Sequence, residues 1–209
     1  MMKGFSIIGI GTGVGKTVVS AIVSEALNAV YFKPVQAGDL DQSDSILVRR
    51  LCSKNVEVAQ EAFLLNTPMA PHGAAKIDGI EMKVSDIEFP LTQRPVVVEG
   101  AGGLMVPINE DGASFIDIYK KADLPIVLVS RHYLGSINHT LLTIDKLHAE
   151  EFRIAGIIYV GEENKVTEEI IEKVTSIPTI ARIPIVDELN ADFIKEQSVK
   201  CKGLIYELS

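Results

Sequence analysis

The glycine-rich stretch GIGTGVGKTVV, Gly9–Val19, constrains the fold of this chain more than any other part of its sequence. It follows the apolar stretch Phe5–Ile8, which is typical of a buried strand, and it leads into residues with helical periodicity. Glycines let a strand-to-helix turn direct its backbone amides at an anion, and the helix N-terminus adds partial positive charge. The stretch therefore predicts a phosphate-binding loop in the first strand–helix unit of an α/β fold.

The spacing of this loop is one residue longer than that of the usual phosphate-binding loop. The usual pattern has a glycine five residues before the glycine of Gly-Lys-Thr; Ile10 holds that position here, and Gly9 is the nearest match. A dinucleotide-binding turn fits less well, because Val14 stands where its last glycine is needed. In a phosphate-binding loop, Lys16 would reach terminal phosphate oxygens and the hydroxyl of Thr17 would bind Mg²⁺.

Apolar stretches of strand length recur along the chain and alternate with helical stretches. The further predicted strands, rich in Val and Ile, are Val30–Phe32, Val96–Val98, Ile126–Val129 and Ile154–Val160. Helical stripes fall between strands at Lys16–Ala29 and Ser136–Glu151. This alternation predicts one α/β domain over residues 1–209, a P-loop fold whose mostly parallel sheet carries helices on both faces.

Other regions carry weaker structural predictions. Thr167 is expected to cap a third helix, with Ile170, Ile171 and Val174 facing inward. Residues 59–87 contain several prolines and glycines and are predicted to be mainly loops, with a short helix at Val84–Ile87. The tail after Ala191 shows only short apolar segments, so its structure is weakly specified.

The charge and composition argue against several classes of protein. A net charge of −8 disfavours a broad surface for nucleic acid or anionic membranes. No apolar stretch approaches the ~20 residues of a membrane-spanning helix, and no signal-peptide pattern precedes the first strand. Two distant cysteines, Cys52 and Cys201, match no metal-binding spacing. We therefore expect a cytoplasmic protein without nucleic-acid or membrane partners.

Ligands of parallel α/β sheets bind beyond the carboxyl ends of strands, so residues that follow strands are candidates. Lys33 follows the second strand, where it could stabilise a transferring phosphoryl group or hold an acidic substrate; the alternative is a surface lysine before a turn. Glu99 ends a strand and would be costly to bury without a role, which favours a metal-side acid. Asp44 starts a predicted helix, either as a Mg²⁺ ligand or as an acid that interacts with the helix dipole.

The start of the helix at Ser136 is a further candidate. Its free amides, near Gly135 and Asn138, could hold a carboxylate. Ordinary capping of the helix by Ser136 explains the same residues equally well.

The ordered set of these motifs resembles the dethiobiotin synthetase family, whose phosphate-binding loop has the same one-residue extension. The matching segments are Gly9–Thr17, Lys33–Val35 with Gly38, Ser43–Asp44, Pro71–His72, Glu99–Gly103 and Leu134–His139. The likeness covers about residues 4–160 well and the tail weakly. Each segment is modest alone, but their order and separations make the set specific.

The resemblance implies an ATP-dependent ring-closing ligase of biotin biosynthesis. Its substrates would be 7,8-diaminopelargonate, CO2 and ATP, with Mg²⁺ as cofactor. A carbamate and then a carbamic-phosphoric anhydride would precede the cyclic urea, dethiobiotin. The family also implies a homodimer that holds its substrate at the interface.

The resemblance further implies roles for individual residues. Lys16 and Lys33 would be catalytic, and Thr17, Asp44 and Glu99 would hold Mg²⁺ directly or through water. ATP would contact Thr12, Gly13, Val14, Gly15, Lys16, Thr17, Asp44, Glu99, Gly100, Ala101, Gly102, Pro184, Ile185 and Val186. The substrate would contact Lys33, Ala37, Gly135, Ser136 and Asn138, the last three from the second subunit.

Three positions depart from the family pattern. Ala37 stands where a hydroxyl is common, so a substrate contact is lost or is replaced by water or Gln36. Gly13 occupies a position that often holds Glu. The segment Tyr159–Gly161 lacks the Asn that commonly reads adenine, which leaves room for looser use of nucleoside triphosphates.

Two other functions could use the same loop. A dimeric P-loop ATPase switch generally carries a second lysine early in the loop, where Gly11 and Thr12 stand here. A nucleotide-binding regulatory module would explain Ala37 and Val160 as signs of lost activity. Phosphate release that depends on the diamine and bicarbonate would distinguish the synthetase from both.

Overall fold

A computed structural model describes residues 2–208, so Met1 and Ser209, the ends of the predicted single domain, lie outside the described residues. The strands are β1 Gly4–Gly9, β2 Val30–Phe32, β3 Val35–Ala37, β4 Glu57–Val58, β5 Phe63–Leu65, β6 Val96–Gly103, β7 Ile126–Arg131, β8 Ile154–Val160 and β9 Thr179–Ile183. The helices are α1 Lys16–Leu27, α2 Asp44–Leu51, α3 Pro71–Asp78, α4 Phe115–Ala122, α5 Ser136–Ala149, α6 Lys165–Thr175 and α7 Ala191–Leu208. Short 3₁₀ helices lie at Leu40–Gln42 and Val84–Asp86.

Seven strands form one parallel sheet in the order β4–β2–β6–β1–β7–β8–β9. Helices cover both faces of this sheet, and the neighbouring strands β6, β1, β7 and β8 bury Val97, Ile7, Leu128 and Ile158. Strands buried on both faces need apolar side chains at successive positions, which explains their continuous Val- and Ile-rich sequences. The predicted α/β P-loop architecture is confirmed.

The topology brings the candidate residues to one edge of the sheet. Strand β1 lies between β6 and β7, and β2 lies beside β6. Because these strands are parallel, the segments that follow β1 and β2 meet the carboxyl-terminal end of β6. The phosphate-binding loop, Lys33 and Glu99 are therefore neighbours despite their separation in sequence. Glu99 lies within β6, which continues to Gly103, rather than at its end.

The prediction that residues 59–87 are mainly loops is wrong for two segments. Strand β5 pairs in parallel with β3 in a separate two-stranded sheet, with Leu64 opposite Gln36. Helix α3 begins at Pro71 and is capped by Gly79, whose φ is 69°. Proline favours the first position of a helix and glycine the position just after its end. The residues that suggested a loop are therefore the two boundaries of a helix.

The predicted cap of α6 is wrong, and its predicted buried face is confirmed at Ile171 but wrong at Ile170 and Val174. Asn164 caps this helix, and its side chain accepts a hydrogen bond from the amide of Thr167. Ile171 is buried, whereas Ile170 and Val174 are 41% and 61% exposed. The helix thus turns a narrower apolar face inward than its sequence suggests.

The tail forms a regular strand and a long helix. Strand β9 pairs with β8, and α7 packs against α1 with Ile194, Cys201 and Ile205 buried. Although α7 has 18 residues, its sequence is interrupted by charged side chains. Between residues 2 and 208, no helix combines the length and the apolar character needed to cross a membrane.

Replacing Gly100 by alanine is expected to destabilise the fold. A Cβ atom at Gly100 would lie 1.8 Å from the hydroxyl oxygen of Tyr119, which is buried on α4. Because the core must shift to relieve this overlap, we expect the free energy of unfolding to fall by about 2 kcal/mol. Urea-induced unfolding measures the change.

The matched control for this substitution is Gly203→Ala in α7, where an added Cβ meets no atom within 4 Å. An exposed alanine is a better helix former than glycine, so the control should gain up to ~1 kcal/mol. Equal effects of the two substitutions would contradict the steric explanation.

Candidate active site

The phosphate-binding loop depends on glycines that have positive φ. Gly13 and Gly15 have φ angles of 72° and 97°, a region that other residues rarely adopt. Gly15 caps α1 and lies against Val160, so an added Cβ would be 3.0 Å from a Val160 methyl carbon. A side chain at Gly15 would strain the loop and push it away from β8.

Lys16 is the first residue of α1, and its side chain folds back across the loop. Its Nζ donates a hydrogen bond to the carbonyl oxygen of Gly11 at 2.8 Å, and the residue is only 7% exposed. Burial lowers the pKa of Lys16 to about 8, against the opposing effect of the nearby Glu99 charge. A phosphate anion in the loop would give this ammonium group a stronger partner than the Gly11 carbonyl.

Three oxygen-bearing side chains converge beside the loop. The hydroxyl oxygen of Thr17 lies 2.7 Å from Oδ1 of Asp44 and 2.9 Å from Oε1 of Glu99. They come from the first turns of α1 and α2 and from β6. The structure therefore brings together the three residues that the resemblance assigns to Mg²⁺.

Lys33 is buried between the two carboxylates and is not a surface lysine. Its Nζ lies 2.6 Å from Oδ2 of Asp44 and 3.2 Å from Oε1 of Glu99, and it donates to the carbonyl oxygen of Gly100 at 2.8 Å. Burial alone would lower the pKa of Lys33, but the charges of Glu99 and Asp44 outweigh burial and raise it. The lysine therefore stays positively charged.

Asp44 stays ionised for the complementary reason. Burial opposes its negative charge, but the ammonium group of Lys33 and the hydrogen bonds from Lys33 and Thr17 lower its pKa. Beside the loop, the positive charge of Lys33 is thus paired with the negative charge of Asp44.

Tyr31 is a site residue that sequence reasoning missed. Its hydroxyl donates a hydrogen bond to Oε2 of Glu99 at 2.9 Å, and neither side chain is exposed. Burial and, secondarily, the Glu99 charge raise the pKa of Tyr31 well above its ordinary value, which keeps the hydroxyl protonated. The sequence did contain a clue to its role. Successive side chains of a strand point to opposite faces of the sheet, so Tyr31 and Lys33, two residues apart, lie on the same side.

A cavity of about 750 Å³ is lined by Lys16, Thr17, Lys33, Asp44 and Glu99 but not by Tyr31. Thr12 and Gly13 of the loop form one side, and Ala101 and Gly102 of β6 form another. The segment Pro68–Pro71, at the start of α3, also lines the cavity. Its volume is that of a typical small-molecule site.

Ala37 also lines the cavity, and the adjacent Gln36 supplies the nearby polar group. The amide nitrogen of Gln36 donates to the carbonyl oxygen of Gly38 at 2.9 Å. Its Oε1 lies 3.4 Å from the backbone nitrogen of Asp44, which donates to it. Gln36 therefore links the end of β3 to the start of α2, and Ala37 adds no hydroxyl.

The donor set fits Mg²⁺. This ion prefers oxygen ligands and is usually bound by one or two carboxylates together with waters and substrate phosphates. Thr17, Asp44 and Glu99 supply one hydroxyl and two carboxylates within hydrogen-bond distance. No cluster of three or more His, Cys, Asp or Glu residues suited to a metal occurs in the described part of the chain. Nucleotide phosphates and waters would therefore have to complete the coordination.

Several residues predicted to bind ligands do not line this cavity: Val14, Gly100, Gly135, Ser136, Asn138, Pro184, Ile185 and Val186. Val14 belongs to the loop and is buried. The carbonyl oxygen of Gly100 accepts a hydrogen bond from Lys33. Ile185 lies near Gly161, just beyond the part of β8 that contacts the loop. Ile185 thus lies beside the end of β8, and the segment 184–186 does not line the cavity.

The start of α5 lies on the surface of the chain. Gly135, with a φ of 102°, occupies the cap position, and no side chain caps the helix. Ser136 is buried as the first helical residue, so capping by its side chain does not explain this turn. Gly135 and Asn138 are exposed, and neither lines the cavity beside the loop.

Curated relatives match the whole chain. The family described as AAA domain matches residues 3–192. The ATP-dependent dethiobiotin synthetase BioD of Christiangramia forsetii is 49% identical over 212 residues, with 100% of both chains covered. The BioD of Rhodopseudomonas palustris is 41% identical over 93% of this chain and 92% of its own.

Solved structures with low sequence identity share the fold. The cell division ATPase MinD of Pyrococcus furiosus has a TM-score of 0.60 and 15% identity, with 100% of both chains covered. A putative plasmid partition protein of Borrelia burgdorferi bound to AMPPNP has a TM-score of 0.62 and 10% identity over 100% of this chain and 98% of its own. These likenesses establish the architecture, whereas the much higher identity to the synthetases establishes the family. The chain belongs to the ATP-dependent dethiobiotin synthetase family.

Proposed function

We propose that this protein forms dethiobiotin from 7,8-diaminopelargonate, CO2 and ATP, with release of ADP and phosphate. The observation that carries the proposal is the burial of Lys33 between Asp44 and Glu99, directly beside the phosphate-binding loop. A buried cation there can hold an anionic intermediate next to the terminal phosphate of a nucleotide.

The proposed reaction proceeds in three steps. One amine of the substrate adds to CO2 and loses a proton, which gives a carbamate. A carbamate oxygen attacks the γ-phosphorus of ATP and displaces ADP, which gives a carbamic-phosphoric anhydride. The second amine then attacks the carbonyl carbon and loses a proton, the cyclic urea closes, and phosphate leaves.

The carbamate is a weak nucleophile, so the reaction needs close positioning and neutralisation of charge. Lys33 would hold the carbamate, and Lys16 would stabilise charge on the phosphoryl oxygens. Thr17, Asp44 and Glu99 would hold Mg²⁺, which when bound neutralises phosphate charge. The backbone of the loop from Thr12 to Thr17 would wrap the phosphates.

A second copy of this chain would complete the substrate site. A groove of about 400 Å³ runs between the end of β6 and α5, and Val106 lines both this groove and the main cavity. Met105 and Leu142 line the groove and are 56% and 58% exposed. An exposed apolar surface of this kind is typical of an interface between subunits. In such a homodimer, the helix start at Gly135–Asn138 of the partner subunit would bind the substrate carboxylate.

Weak selectivity among nucleoside triphosphates is expected. The Val160 methyl groups lie against Gly15, and the side chain of Asn164 is used to cap α6. The apolar side chains of Ile185 and Val186 can pack against the base of the nucleotide, but they cannot form hydrogen bonds with the polar edge of that base. Sites without such polar contacts discriminate poorly, so kcat/KM for ATP should exceed that for GTP or CTP by no more than ~10-fold. Steady-state kinetics with each triphosphate test this, and a preference of ~1000-fold would contradict it.

The proposed function is tested by the substrate dependence of phosphate release. The protein with Mg²⁺ and ATP should release phosphate at a high rate only when both 7,8-diaminopelargonate and bicarbonate are present. Leaving out either substrate should return the rate to background. Rapid release without the diamine would instead indicate an ATPase switch.

A further inference from the structure

We propose that Tyr31 is a positioning residue that orients the Glu99 carboxylate for the Mg²⁺–nucleotide complex. The tyrosine does not line the cavity, and it would act only through Glu99. This inference rests on the proposed use of Mg²⁺ and a nucleoside triphosphate, but it does not depend on the identity of the acceptor substrate.

The two oxygens of Glu99 have separate sets of partners. Oε1 faces the site, 2.9 Å from the Thr17 hydroxyl oxygen and 3.2 Å from Nζ of Lys33. Oε2 faces the sheet and accepts the hydrogen bond of the Tyr31 hydroxyl at 2.9 Å. The carboxylate is fully buried, so no solvent reaches either oxygen.

Strand pairing explains how Tyr31 reaches Glu99. In the parallel pair of β2 and β6, Tyr31 lies opposite Val97 and Phe32 lies opposite Val98. Tyr31 is itself fully buried, so packing against the sheet restricts the position of its ring. The hydroxyl is therefore presented from a rigid strand rather than from a mobile loop.

The hydrogen bond that Tyr31 donates to Oε2 would also set the orientation of Oε1. The terminal torsion of a glutamate has a broad preference, so the carboxylate plane is not set by the side chain itself. Without the tyrosine hydroxyl, Oε2 would be a buried acceptor without a partner, and rotation toward Lys33 would be favoured. That rotation would turn Oε1 away from Thr17. Loss of such an outer hydrogen bond typically weakens metal affinity by about 10- to 100-fold.

The experiment compares Tyr31→Phe with Ser24→Ala. Ser24 carries another fully buried hydroxyl, about two turns along α1 from Thr17, and this hydroxyl has no hydrogen-bond partner among the described residues. Binding of a non-hydrolysable ATP analogue is titrated with Mg²⁺ and also measured in EDTA. For Tyr31→Phe we expect the Mg²⁺ concentration at half-saturation to rise about 10-fold, with unchanged binding in EDTA. For Ser24→Ala we expect no change in either.

A double-mutant cycle shows whether Tyr31 acts through Glu99. In a Glu99→Gln background, Tyr31→Phe should leave the Mg²⁺ dependence unaltered. An unchanged Mg²⁺ dependence in the single Tyr31→Phe variant would overturn the inference, as would an equal shift in the Glu99→Gln background. Failure to form dethiobiotin would refute the proposed function alone, because nucleotide binding is measured without the diamine.

Discussion

Lys33→Ala is expected to lower kcat for dethiobiotin formation by about 1000-fold, because it removes a preorganised cation from the reacting carbamate and phosphoryl groups. In the wild-type protein, Nζ of Lys33 lies 2.6 Å from Oδ2 of Asp44 and 3.2 Å from Oε1 of Glu99, and the residue is almost fully buried. Steady-state rates of product formation measure the loss. Binding of ATP to the loop should be much less affected, since Lys16 remains.

The same substitution should also reduce stability, which must be separated from catalysis. Removing one partner of a buried ion pair leaves an uncompensated charge and typically costs about 3 kcal/mol. Lys33→Met fills the same space without the charge and is the matched control for packing. Both variants should be inactive at temperatures where they remain folded, as judged by circular dichroism. Near-wild-type turnover in Lys33→Met would contradict a role for the charge.

Mixing two inactive variants is expected to restore activity. Asn138→Asp places a carboxylate at the start of α5, where it would repel the substrate carboxylate and reduce turnover by ~100-fold or more. Because an acidic residue near a helix N-terminus is favourable, this variant should fold at least as well as the wild type. Co-expression of Asn138→Asp with Lys33→Ala should give about a quarter of wild-type activity, because half of the dimers are mixed and each has one intact site.

Activity is restored only if each substrate site combines Lys33 of one subunit with Asn138 of the other. If Lys33 and Asn138 act on the substrate from the same chain, every site in the mixed dimer contains a defect, and activity stays at background. Each variant expressed alone provides the reference rate. A mixture no more active than the references would refute the shared interface.

Much of the fold and part of the site could be predicted because they depend on local patterns. The glycine-rich loop, the buried strands and the starts of α1, α2 and α5 are visible within about ten residues of sequence. The meeting of Lys33 with Glu99 followed from one topological rule, that parallel strands present their carboxyl ends at one edge. The register of β2 against β6, with Phe32 opposite Val98, then sets Lys33 beside Glu99.

Other features could not be predicted because they depend on distant contacts. Pro71 and Gly79 look like loop residues until the chain between them is seen to pack as α3. The hydroxyl of Tyr31 has no visible purpose in the sequence, since its partner lies 68 residues away. The burial of Lys33 likewise follows from its ion pairs rather than from neighbouring residues in the sequence.

Mass spectrometry of the reaction product shows directly whether the protein closes the urea ring. The protein is incubated with 7,8-diaminopelargonate, 13C-labelled bicarbonate and MgATP, with Lys33→Ala as the control. We expect a cyclic urea that carries the label in the wild-type reaction and only background product with the variant. ATP hydrolysis by the wild-type protein without any labelled cyclic urea would refute the proposed reaction.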